Sequence, residues 1–447
     1  MRLDVTYKQI WKISAPIMLG SAAQNVIALS DAVLLYHVGE VEFGAIGFVG
    51  VFYITMAAIG YGFSRGGQIM IARRMGEGKP EAVGHIFHTM VMFELFLALL
   101  MWLFMHYGSQ WFFALFLDHS PAIYEKSLEY IHYRSYGIFF SYAGVAMIAL
   151  YTGIARTTII LLDTILLAIV NLVLNYGLIF GELGLPAMGI GGSGLASTIA
   201  EGVAFLFFVV YMLLDKKNRI LRVFSRPYPD WKLTRQQLSL SLPVVAHAAI
   251  GQGSWIFFFG MVENLGEKAL AISNLARTVY LLLSIPLWGF SAGVNTLVSN
   301  LIGQERRQDV LRAAWKTALF CWFVTMIVAI PVLFFPEQLL HPLFNKSEGN
   351  LIADTQPVFY MLLVILMMST FGAVLVNTLS GTGATFFGLK VQALSVLVYL
   401  GYIYYVTNMV ENVSLPWVWF AEVVYWSVMI LMAVLYLRSE KWHSNKF

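Results

Sequence analysis

Cysteine is almost absent from this sequence, and charge is scarce. Of 447 residues only Cys321 is a cysteine, so there is no intramolecular disulfide framework and no thiolate cluster to hold a metal. Charged residues make up 12% of the chain, about half the ~25% typical of a soluble domain. The formal net charge of +3 is too small to suggest a nucleic-acid partner. No HExxH motif and no paired-aspartate motif is present, and His85-x-x-His88 lacks the glutamate. Enzyme chemistry and a bound cofactor are therefore not expected. The first hydrophobic run, after Lys8 and Lys12, is too long for a signal peptide and has no small-residue cleavage site before the next run. It is expected to stay in the protein.

What is present is apolar length. Hydrophobic residues make up 59% of the chain and the mean hydropathy is +0.73, the composition of an all-α integral membrane protein. Crossing a hydrocarbon core of ~30 Å takes about 20 apolar residues. On that scale the chain holds twelve spans, near 12–36, 44–72, 86–107, 129–154, 158–181, 190–214, 238–262, 270–300, 313–335, 357–380, 388–408 and 416–437. Alternate connections carry nearly all the basic residues, including Arg73, Arg74, Lys79 and the run from Lys216 to Arg235. The connections on the other side hold only Lys126, Lys268 and Lys346. The positive-inside rule then puts both termini in the cytoplasm.

Residues 215–237, basic and proline-containing, lie midway and read as a linker between lobes at 1–214 and 238–447. An internal repeat supports this division. With a shift of 227, Ser14-Ala-Pro16 falls on Ser241-Leu-Pro243, Gly39-Glu40 on Gly266-Glu267, Gly62-Phe-Ser64 on Gly289-Phe-Ser291, Gly66 on Gly293 and Gly76 on Gly303. With a shift of 228, Gly153-x-Ala-x-Thr157 falls on Gly381-x-Gly-x-Thr385. Both halves start on the same side, so the two six-helix lobes form a parallel repeat about an axis along the membrane normal.

Within the first span lies Asp31, an acid late in an apolar run that starts at Pro16. A carboxylate inside a membrane helix is costly, and by default it marks a functional site. Together the Pro16, Asp31, Gly39 and Gly76 positions, Asn171-Leu-Val-Leu-Asn175 in the fifth span and Gly191-Gly-Ser-Gly194-Leu-Ala-Ser-Thr198 at the start of the sixth resemble the multidrug and toxic compound extrusion (MATE) family over the whole chain. The resemblance implies a bacterial inner-membrane antiporter, working as a monomer. It would export organic cations, drugs or amphipathic metabolites in exchange for protons or sodium by alternating access. A lipid-linked oligosaccharide flippase of the same broader superfamily is the alternative. Such a cleft would carry several arginines, whereas the deep basic residues here are chiefly Arg65 and Arg277.

The resemblance also assigns a coupling site. Asp31 takes the family's first-helix aspartate position, Asn171 the fifth-helix asparagine and Thr198 the sixth-helix threonine, and Asn175 stands where some members have a second aspartate. If sodium is the ion, Asp31, Asn171, Asn175 and Thr198 are its ligands. The family's second cation site would need a glutamate about a turn beyond His247, where this chain has Gly251 and Gln252. That site reads as absent.

Residue chemistry supports the grouping independently. Asn171 and Asn175 are four apart and share a helix face. At ~1.5 Å per residue, Asp31, Asn175 and Thr198 lie within one or two turns of a common depth. In the repeat Asp31 falls on Phe258, Asn171 on Tyr399 and Asn175 on Ile403. The polar set is therefore one-sided, as a functional set would be. Glu201 lies three residues after Thr198. It either supplies the carboxylate that Asn175 does not, or pairs with a buried arginine such as Arg65. Glu94 is deep in the third span with no motif to interpret it. Arg65, Arg277 and Glu422 are placed to snorkel toward the interfaces.

Overall fold

The computed structural model of the chain describes residues 2–225, 228–336, 338, 349–410, 413–439 and 441–444; Lys346 lies outside them. The main helices are α1 (Tyr7–Tyr36), α2 (Glu40–Gly76), α3 (Val83–Leu103), α4 (Ser109–Leu117), α5 (Pro121–Arg134), α6 (Gly137–Gly153), α7 (Thr158–Phe180), α8 (Gly189–Leu214), α9 (Trp231–Glu263), α10 (Glu267–Leu283), α11 (Ile285–Gly303), α12 (Val310–Phe334), α13 (Gly349–Thr382), α14 (Thr385–Met409) and α15 (Leu415–Arg438). Among the described residues there is no strand. That is the outcome expected where lipid offers no hydrogen bonds and each spanning segment must satisfy its own backbone.

Among the described residues ten helices are long and apolar enough to cross a bilayer, and two bent pairs, each taken as one span, bring the number to twelve. The spans expected at 129–154 and 270–300 are both broken. α5 and α6 meet at 55°, and α10 and α11 at 44°. At the second break Pro286 stands in the first turn of α11, where it has no N–H to continue the preceding helix. The third span runs on beyond 107. A π-turn at Phe104–Gly108 joins α3 to α4, and Pro80–Leu117 qualifies as one candidate span.

The chain forms two compact units, residues 19–241 and residues 1–18 with 242–447. The beginning of α1 therefore packs with the second half of the chain, and residues 215–241 with the first. The repeated motifs give the physical reason. In one unit Ser14 of α1 lies so close to α11 that a Cβ on Gly293 would come within 2.3 Å of its Oγ. In the other, Ser241 of α9 accepts a hydrogen bond from Gly66 N at 3.2 Å and donates to the Phe63 carbonyl at 2.6 Å. A Cβ on Gly66 would meet the Gln237 carbonyl at 2.5 Å. Gly153 and Gly381 repeat the pattern: a Cβ on Gly153 would sit 3.1 Å from the Gln68 carbonyl, and one on Gly381 2.8 Å from that of Asn295. Gln68 and Asn295 are related by the same shift of 227. The glycines recur because helix backbones touch at the same places in both units.

The described residues of the basic connection pack against their own unit. Asn218 is buried and donates to the Met212 carbonyl at 2.8 Å. Arg156 is paired with Asp215. His85 of α3 meets Asp230 at 3.0 Å and stacks on Tyr228 at 4.2 Å, and His88 bonds the Val223 carbonyl at 2.5 Å. The hydrogen bond from His85, helped by the Leu233 backbone N–H, holds Asp230 below the usual carboxylate range.

Candidate functional site

α1 and α7 are brought together at Gly20, where a Cβ would stand 3.3 Å from Thr164 Oγ1. From Gly20 to Asp31 and from Thr164 to Asn175 are both steps of 11 residues, about three turns. One close contact thus sets the register of the next. Asn175 Nδ2 donates to Asp31 Oδ1 at 2.6 Å and to Asn171 Oδ1 at 3.0 Å. Asn171 Nδ2 in turn donates to Ser197 Oγ of α8 at 2.9 Å. Asp31 is 8% exposed, Asn171 1% and Asn175 0%. Asn175 Oδ1 is buried with no hydrogen-bond partner. Flipping that amide would turn its oxygen toward two other oxygens, so the orientation is dictated by the network.

Three of the five residues expected at the site are therefore linked in one chain of hydrogen bonds. Thr198 and Glu201 belong to a neighbouring cluster. The break after Arg134 leaves the last carbonyls of α5 without helical partners, and Thr198 Oγ1 donates to that of Tyr133 at 3.0 Å. Glu201 forms a two-point pair with Arg134, Nη1 to Oε2 at 2.8 Å and Nη2 to Oε1 at 2.5 Å. Tyr53 adds a hydrogen bond to Oε2 at 3.2 Å, and its ring lies under the Arg134 guanidinium at 3.7 Å. Gly137 makes room: a Cβ there would fall 2.2 Å from Arg134 Nη1 and 2.7 Å from Glu201 Oε2. Glu201's arginine is thus Arg134. Arg65 instead donates to Gln68 Oε1 at 3.3 Å.

Sequence reasoning missed Arg134, which acts electrostatically on Asp31 as well as on Glu201. The signal was the polar run Glu125–Arg134, which continues into an apparently continuous span. The opening of α8 has a packing explanation too. A Cβ on Gly192 would come within 2.4 Å of the Leu178 carbonyl, and one on Gly194 within 2.6 Å of that of Tyr130.

The MatE family model matches residues 16–177 and 243–405, one segment in each half of the chain. The chain belongs to the MatE family. This MATE transporter is 22% identical over 338 residues to the multidrug resistance protein NorM of Aliivibrio fischeri, an alignment covering 75% of this chain and 73% of the relative. Its fold matches the outward-facing structure of a multidrug resistance MATE family transporter of the MOP superfamily, with a TM-score of 0.88 at 19% identity, over 98% of this chain and 97% of the other. A MOP superfamily transporter from Pyrococcus furiosus gives a TM-score of 0.88 at 20% identity, over 98% and 96%. The twelve-span all-α architecture expected from sequence is the architecture of these relatives.

In the other unit the counterparts of the polar set are apolar and packed. Phe258, Tyr399 and Ile403 are at most 1% exposed and share one core cluster. The rings of Phe258 and Tyr399 lie 6.4 Å apart, and Phe258 meets Trp419 edge-on at 5.1 Å. Glu422, expected to snorkel, is instead 5% exposed beside Tyr399 and Trp426. Arg277 lies over the rings of Trp255 and Phe259.

Proposed function

We propose that this transporter exports organic cations, drugs or amphipathic metabolites across the bacterial cytoplasmic membrane in exchange for protons, by alternating access. Asp31 is the coupling carboxylate. The observation that carries this reading is the buried chain Asp31–Asn175–Asn171, hydrogen-bonded across α1 and α7, whose repeat-related positions in the second unit hold Phe258, Tyr399 and Ile403. The drug-export part is supported by the relatives named for multidrug resistance, and the orientation with both termini inside by the distribution of basic residues.

The donor set favours a proton over sodium. A hard cation needs several oxygen ligands. Here Asn171 Oδ1 already accepts a hydrogen bond and Thr198 Oγ1 is committed to Tyr133, while Asn175 turns its N–H group, not its oxygen, toward Asp31. A proton on Asp31 needs no such cage: Asn175 engages only Oδ1, and the proton can bind at Oδ2. A bare carboxylate is expensive to enclose, so Asp31 stays in a hydrated, open arrangement until it is neutralised. The neutral site can then close. Ion and substrate thereby favour different arrangements, which is what coupling requires. The Arg134 guanidinium, paired with Glu201, lies within electrostatic range of Asp31.

The test is transport in vesicles with pH and sodium gradients imposed separately. Export should follow the pH gradient and be lost in Asp31→Asn, with membrane insertion intact. Wild-type export in that variant, or drive by sodium alone, would sink the reading.

A further inference from the structure

The same unit holds a second buried acid that this mechanism does not use. Glu94 of α3 is 0% exposed. Its Oε1 accepts a hydrogen bond from Ser64 of α2 at 2.7 Å, and its Oε2 is buried without any partner. It lines a cavity with Phe63, Met90, Phe93, Leu238 and the polar side chains of Thr234, Gln237 and Ser241.

Few of those polar groups are free. Ser241 Oγ donates to the Phe63 carbonyl and accepts from Gly66 N. Gln237 Nε2 donates to the Ile86 carbonyl at 2.9 Å, and Thr234 Oγ1 to that of Asp230 at 2.9 Å. The charged and titratable groups on the surrounding helices leave Glu94 without a counter-charge. On α2, Arg65 is bonded to Gln68. On α6, Tyr142 donates to the Met56 carbonyl at 2.7 Å. On α9, Lys232 and Arg235 are exposed. On α3 itself, His85 and His88 are engaged with Asp230 and Val223. A carboxylate enclosed in this way with one hydrogen bond and no cation is too costly to persist, and one carboxyl group is too little to cage a metal ion.

We infer that Glu94 is a proton-binding site, loaded from solvent through the cavity at the first turns of α9. Access follows from position: Thr234 is three residues from Trp231, the first residue of α9 and 78% exposed. Loading forms one O–H bond on Oε2 with a proton taken from water, release returns that proton to water, and no other bond changes. Because Glu94 and Asp31 lie in one unit at different depths, a second proton can move with each cycle. That consequence rests on the proton-coupled reading above; the site itself does not.

Infrared spectra of the full-length protein in vesicles test the site directly. The wild type minus Glu94→Gln difference should contain a protonated-carboxyl band that disappears as pH is raised and shifts in heavy water. It should survive in Asp31→Asn and in Glu94→Asp. Absence of the band, or a band that neither titrates nor exchanges, overturns the inference. Reversal-potential measurements with ethidium as substrate should show one proton fewer per cycle in Glu94→Gln. An unchanged number would overturn Glu94 as a carried-proton site. If wild-type flux ignores the pH gradient, the coupling reading fails, while the infrared result still decides Glu94.

Discussion

Asp31, Asn171 and Asn175 in one unit and Phe258, Tyr399 and Ile403 in the other occupy equivalent places in the repeat, yet they are built for different ends. The first three form a hydrogen-bonded chain with an acid at its end and one orphan acceptor. The second three are closed into an aromatic core. The glycine contacts at Gly66 and Gly293, and at Gly153 and Gly381, are alike in the two units. Duplication preserved the scaffold where backbones touch, and the units diverged where side chains alone decide. At these three repeat-related positions the polar chain is present in one copy only, which is what a working site would require.

The largest break in that comparison should come from the acid. Asp31→Asn is expected to remove all pH-driven export, whereas Phe258→Leu at the matching place should leave export intact and cost less than about 1.5 kcal/mol. Parallel transport assays and melting curves in detergent check both. Next is Glu201→Gln, which leaves Arg134 buried and without its counter-charge. By analogy with broken buried pairs it should cost about 3–5 kcal/mol, read as a lower melting temperature. With Arg134 no longer neutralised by Glu201, Asp31 should release its proton more readily, moving the pH dependence of export to lower pH. Asn171→Ala removes hydrogen bonds to Ser197 and Asn175 and should cost about 0.6 kcal/mol, at most about 1.7 kcal/mol, the range for interhelical polar contacts in membranes. Tyr399→Phe, its counterpart, should leave export unchanged, because the Tyr399 hydroxyl lies beside Glu422 and outside the Asp31 chain.

The smallest effect lies outside the bilayer. Asp230 titrates below the ordinary carboxylate range, so its hold on the connection is complete above that range and fades as pH falls through its own lowered value. Hydrogen exchange of residues 216–225 and 228–230 should therefore rise only under strongly acidic conditions. Exchange that already rises near neutral pH would contradict the assignment.

Much of the site was legible because depth can be counted along a helix. Asp31 and Asn175 could be matched in height, and Asn171 placed on the face of Asn175, before any contact was known, and the three are linked. Thr198 satisfied the same count, but its hydroxyl is taken by a carbonyl that only a helix break exposes. Arg134 was hidden for the same reason, since a bend inside a span leaves no gap in hydropathy. Glu422 was misjudged because distance from a helix end says nothing about which face the helix buries.

The sequence by itself determined the class, the number of spans, the repeat and the glycines at which helices meet. These follow from hydrophobic length and from backbone approach, both written in residue type and spacing. Only the tertiary structure decided which unit each helix start joins, which arginine neutralises Glu201 and which oxygens are left without partners. Those depend on how helices rotate and bend against one another, and no periodicity in a single chain records that.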